Sequence, residues 1–163
     1  MSDDLERRVR DEAWSKAKLL TWAMAPAPAL YVLVGVLLLQ RNVPAPARDV
    51  SPTTKDALFF GFIAAGALCV LVAGVLARRL RKSAAPDSLA AAAQAFVQTH
   101  VVTLGLAEVP AVLGLVYFLL TGDLVRMIVL AAAGTIVLFF FLPRRATLEA
   151  FVRRGGHAGD DAP

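Results

Sequence analysis

The sequence predicts an all-α polytopic membrane protein with four transmembrane helices and an N-terminal amphipathic interfacial helix, and three observations carry that prediction. The first is composition: 58% of the 163 residues are hydrophobic and 18% are charged, with a mean hydropathy of +0.63, too apolar for an ordinary soluble domain. The second is blocking. The apolar residues gather in four runs, 19–39, 57–77, 101–120 and 124–142, each near the ~20 residues that cross ~30 Å of hydrocarbon as a helix. The third is periodicity. No run alternates every second residue, so the backbone is satisfied within helices and a barrel is disfavoured.

Charge sets the expected orientation. The net charge is +4, but the basic residues flank apolar runs instead of forming a patch of their own, so no nucleic-acid partner is expected. Thirteen of the seventeen Lys and Arg residues lie on one side of the predicted topology: Arg7, Arg8, Arg10, Lys16 and Lys18 at the start, Arg78, Arg79, Arg81 and Lys82 between the second and third spans, and Arg144, Arg145, Arg153 and Arg154 in the tail. Arg41, Arg48, Lys55 and Arg126 lie on the other. The positive-inside rule then puts both termini in the cytoplasm of a multi-pass protein of the cell (inner) membrane. Cys69 is the only cysteine, which excludes an intramolecular disulfide.

Residues 1–18 form a cytoplasmic segment in which Leu5, Val9, Ala13, Trp14 and Ala17 recur at helical spacing, as in a helix lying along the inner lipid surface. The spans follow within 19–142, at about 19–40, 57–77, 95–120 and 123–142. Pro26 and Pro28 predict a bend in the first. Ala45-Pro46-Ala47 resembles a signal-peptide cleavage site, and cleavage there would leave three spans; the long charged leader argues against it. Ser51 before Pro52 reads as a helix start. In the second span Gly61, Ala65, Cys69 and Ala73 recur every fourth residue, a track along which a neighbouring helix can approach closely. Arg78 to Asp87 reads as a short cytoplasmic connection. The third helical pattern is long enough, ~50 Å for about 33 residues, to project into the cytoplasm, carrying His100 in its inner part. His100 is expected to be satisfied by solvent or headgroups, or to relay to Glu108 through water. Gly122 is the expected C-cap of the third span. The basic tail, 143–163, is read as partly disordered, with a short amphipathic stretch at 146–154 and disorder from 155 onward.

Glu108 is the residue with chemistry to explain. A charged carboxylate in the middle of a bilayer costs about 2.5–3.5 kcal/mol on insertion scales, which makes it a functional candidate with a partner to be found. Gly105 lies one turn before it and is expected to admit a close neighbour, Thr103 flanks it, and Pro110 leaves the Leu106 carbonyl without its helical donor. That freed carbonyl is a candidate partner for a protonated Glu108 or a bound cation. Nothing in the chain has the spacing of a catalytic or metal-ligating set, so no enzyme, cofactor or metal site is expected.

Ala107-Glu108-Val109, followed by Gly114-Leu115-Val116-Tyr117-Phe118-Leu119-Leu120, resembles the carboxylate helix of the proteolipid subunits that form the membrane ring of rotary ATPases, the vacuolar type above all. The likeness extends over 57–120, where a small-residue helix and a polar connection with Arg81 and Pro86 precede the acid. The resemblance implies a homo-oligomer or membrane-complex subunit whose Glu108 binds and releases a proton or sodium ion. Pro110 beside the acid and the two flanking spans depart from the family's pattern. The reading left open beside it is a structural or accessory membrane protein in which Glu108 is a protonated hydrogen-bonding strut.

Overall fold

A computed structural model describes residues 2–41, 50–83 and 89–157, and no strand occurs among the described residues. Six helices follow in order: α1 (Ser2–Met24), α2 (Ala27–Gln40), α3 (Pro52–Ser83), α4 (Leu89–Thr121), α5 (Leu124–Phe140) and α6 (Arg145–His157). Three stretches are long and apolar enough to cross a membrane: Arg7–Gln40, which runs through the α1–α2 turn, Pro52–Arg79 and Leu89–Thr121; Leu124–Phe140 is apolar but shorter.

Local chemistry accounts for most of the boundaries. The break between α1 and α2 falls at Ala25 and Pro26, with Pro28 buried in the first turn of α2, where a missing N–H costs no helical bond. The Ser51 hydroxyl accepts from Thr54 N–H at 3.2 Å and caps α3, as Ser51-Pro52 predicts. Gly122 takes a positive φ of 70° after α4, and Asp123 then accepts from Arg126 N–H at 3.1 Å to start α5. Two predicted stretches need correction. α3 continues through the basic residues to Ser83, so the Arg78–Asp87 connection shrinks, and residues 84–88 lie outside the described ones. Helix also continues through Gly155 to His157, where disorder was expected. Residues 42–49, with Ala45-Pro46-Ala47, lie outside the described residues too.

α4 is the axis of the bundle and packs against each of the other five helices. Its tightest partner is α5. A Cβ added at Gly134 would sit 2.9 Å from both the Cβ and the N of Ala111, and one at Gly114 would sit 3.0 Å from Leu130 Cβ and from the Met127 carbonyl. Small residues on both helices therefore bring the backbones into contact, the close approach that van der Waals association in lipid requires. α3 meets α4 through Gly66, over which the ring of Pro110 lies. The Gly61–Ala65–Cys69–Ala73 track is divided by this geometry. Ala73 is buried and Cys69 half-buried, whereas Gly61 and Ala65 are exposed and Gly61 has open space around it.

The end of the bundle where α1, α6 and the start of α4 meet is a second core. Ala13 and Ala17 of α1, Ala93 and Phe96 of α4, and Leu148 and Val152 of α6 form one buried cluster, and the Arg145 guanidinium lies over the Trp14 ring at 5.6 Å. The α1 face assigned from sequence to the lipid surface is thus covered by protein. The N-terminal part of α4 provides the partner: it presents Ala93 and Phe96 at the level of α1, and small alanines on both helices close the gap.

Candidate functional site

Glu108 sits on α4 between Ala107 and Ala111, both fully buried against neighbouring helices. Its carboxylate is half-buried, and its Oε1 accepts a 2.5 Å hydrogen bond from the Tyr31 hydroxyl of α2. Tyr31 reaches it because Gly35, one turn later on the same face, lies against Met127 of α5: a Cβ there would be 2.8 Å from the Met127 sulfur. That close approach seats α2 in the groove between α4 and α5.

The residues predicted around the acid are dispersed. Gly105 is exposed with nothing within 4 Å of a Cβ position, so the predicted close neighbour is not present among the described residues. Thr103 is buried but turns its hydroxyl back to the carbonyls of Thr99 and His100, at 2.9 and 3.0 Å. Pro110 packs against Gly66. The Leu106 carbonyl does not take part in the Glu108 bond, for which Tyr31 is the side-chain partner among the described residues. Tyr31 was missed because it lies 77 positions away. The one available signal was a lone phenol in an otherwise apolar run, a group that needs a partner when buried in lipid.

His100 is not an interfacial residue satisfied by solvent. It is 7% exposed, stacked on Phe96 with the rings 3° from parallel, and its Nε2 lies 2.9 Å from the Thr21 hydroxyl. That hydroxyl donates to the Ala17 carbonyl at 2.9 Å, and a carbonyl can only accept. Nε2 must therefore carry the hydrogen and donate to Thr21. Eight residues of helix, about 12 Å, separate His100 from Glu108, and the buried layer of Leu104, Ala107 and Leu138 lies at the intervening height. This apolar layer gives no support to a water relay.

A third polar group closes the opposite end of α4. Tyr117 is fully buried; its hydroxyl donates to the Lys55 carbonyl at 3.3 Å and accepts from Arg126 Nη1 at 3.1 Å. Arg126 also pairs with Asp56 and Asp123 and lies over the Phe59 ring. Along α4 there are thus three polar rungs, each joining it to a different helix: His100 to α1, Glu108 to α2, and Tyr117 to α3 and α5. Among them only the middle rung has a carboxyl group on α4 itself. One phenol and one carboxylate supply fewer oxygens than the six or more that hard divalent cations take, and among the described residues no group of three His, Cys, Asp or Glu side chains is placed to hold a metal.

No model of a known protein family, no curated protein and no solved structure matches the chain.

Proposed function

We propose that the chain is a four-span protein of the cell membrane, with both termini cytoplasmic, and that its role is structural or accessory, with Glu108 as a hydrogen-bonding strut between the first and third spans. The observation that carries this reading is the Tyr31–Glu108 bond, which accounts for a costly intramembrane acid without an ion. The fourth span is α5: its 17 residues give about 26 Å of helix, at the lower end of what crosses hydrocarbon. The inner surface is the end carrying the α1–α4–α6 cluster, in keeping with the thirteen basic residues there. The ion-carrying role implied by the proteolipid resemblance is the alternative, and one experiment separates them.

That experiment is a double-mutant cycle read by thermal unfolding in mild detergent, together with carbodiimide labelling of Glu108. For a strut, Tyr31→Phe and Glu108→Leu show a coupling of about 0.6–1.7 kcal/mol, the range measured for hydrogen bonds between membrane helices. Glu108→Gln retains most of the stability because its amide oxygen still accepts from Tyr31. Absence of coupling, together with labelling that sodium or raised pH blocks, would overturn the strut and favour an ion site.

A further inference from the structure

At the inner end of the bundle a cavity of about 280 Å³ opens between α4, the end of α5 and the start of α6. This is far more than the roughly 10–15 Å³ that holds one water. Its polar lining is Thr99, His100 and Thr103 of α4 together with Arg144 and Thr147. Its apolar lining is Phe96, Phe140, Phe141 and Leu142.

Three features narrow what would fill it. The lining includes a guanidinium, an imidazole and three hydroxyls but no carboxylate, and Arg144 has no acidic partner among the described residues. Arg144 is exposed, so its guanidinium is open to an incoming anion. Ala77 of α3 is also in the lining, and the exposed Arg78 and Arg79 follow it on the same helix. Phe140 is 75% exposed and Leu142 41%, so the apolar lip is open on the side where α5 leaves the membrane in the topology proposed above. A cavity with an exposed arginine at one end and a greasy lip at membrane level suits an anion attached to hydrocarbon. The arginine fork matches phosphate oxygens, and basic pockets at the inner ends of membrane helices hold lipid headgroups by this chemistry.

We infer that this cavity binds a phosphate group, carried on an anionic membrane lipid. Arg144 holds the phosphate with Thr147 beside it, Thr99, His100 and Thr103 only border the headgroup because their hydrogens are used within the fold, and the acyl chains leave over Phe140 and Leu142. The inference uses only the inner end of α5 from the proposed topology and is independent of Glu108. Free phosphate offers the same chemistry, and the test separates the two sources.

The test is native mass spectrometry of the full chain in mild detergent, with phosphatidylglycerol, phosphatidylcholine and inorganic phosphate as probes. One phosphatidylglycerol retained per chain is expected, with about tenfold preference over phosphatidylcholine. Arg144→Gln should reduce retention by a similar factor, and Arg144→Lys less. Thr147→Phe, which fills the cavity with the charge intact, should also reduce it, while Arg145→Gln should leave it unchanged. Displacement of the lipid by millimolar inorganic phosphate would support the phosphate site and assign it to a soluble ligand. Equal losses in Arg144→Gln and Arg145→Gln would mean diffuse attraction to a basic surface and would overturn the inference. So would full retention in a folded Thr147→Phe variant, or no retention of any probe by the original chain.

Discussion

α3 and α4 are 32 and 33 residues long, both apolar enough to span a membrane, and yet 11% of the most apolar α3 window is buried against 44% of that in α4. Hydropathy does not distinguish a central helix from a peripheral one. The difference lies in what α4 carries between its apolar residues: Ala107, Ala111 and Gly114 let α5 approach, Pro110 meets Gly66 of α3, and His100, Glu108 and Tyr117 each bond to a different neighbour. α3 carries small residues too, but Gly61 and Gly74 have nothing within 4 Å of a Cβ position. A small side chain marks a close contact only where a partner helix presents a matching surface. In lipid, where apolar area itself does not drive association, that surface has to be small or hydrogen-bonding.

The comparison is broken most sharply by adding bulk at equivalent glycines. Gly134→Leu forces a side chain into the Ala111 backbone and is expected to destabilise by about 3 kcal/mol or more, at or beyond the upper end for overpacked cores, seen as loss of the folded monodisperse species in detergent. Gly61→Leu on α3 is expected to leave the melting temperature unchanged. If Gly61→Leu and Ala65→Leu alter oligomer size without altering monomer stability, the exposed side of α3 is a contact between chains.

Gly66→Leu should have an intermediate effect, about 1–3 kcal/mol, because the added branch would meet the Pro110 ring, 3.3 Å from the Cβ position. Pro110→Ala in the same background should recover part of the loss; failure to recover would mean that the ring is not the obstacle. Thr21→Val tests the His100 rung. It removes the acceptor of His100 Nε2–H at nearly constant volume and should cost about 1–2 kcal/mol, since a buried donor is left unpaired. An unchanged melting temperature would imply that water takes the place of Thr21.

The smallest effect is expected at the exposed pair of Lys16 and Glu12, 2.7 Å apart one turn along α1. Lys16 holds the Glu12 carboxyl below its ordinary pKa, first by hydrogen bonding and then by charge. A lowered folded-state pKa gives stability that is present above the unfolded carboxylate pKa and lost as pH falls through the folded value. Exposure and salt screen the pair. Lys16→Ala should therefore leave the pH dependence of unfolding between neutral and mildly acidic conditions unchanged within error, and a marked change would mean that the pair is shielded by lipid or by another chain.

Much of the architecture was legible in the chain, because helix formation in apolar runs, the Ser51 cap, the proline break and the Gly122 turn are decided by residues within a few positions of each other. Glu108 was also legible as a group needing a partner, from its desolvation cost alone. What filled that need was not, since the freed Leu106 carbonyl was the nearest candidate in sequence while Tyr31, on another helix, is the nearest in space. The same holds for His100, read as an interfacial residue and buried instead against Thr21 and Phe96, and for α1, whose alanine face meets α4 and α6 instead of lipid. Period, capping and charge asymmetry are local properties and can be read from one strand of text. The choice of which small, polar or aromatic residues touch depends on how five helices are rotated about α4, and that rotation is set by the sum of contacts such as Gly134 on Ala111 and Gly35 on Met127, which exist only once the helices have packed.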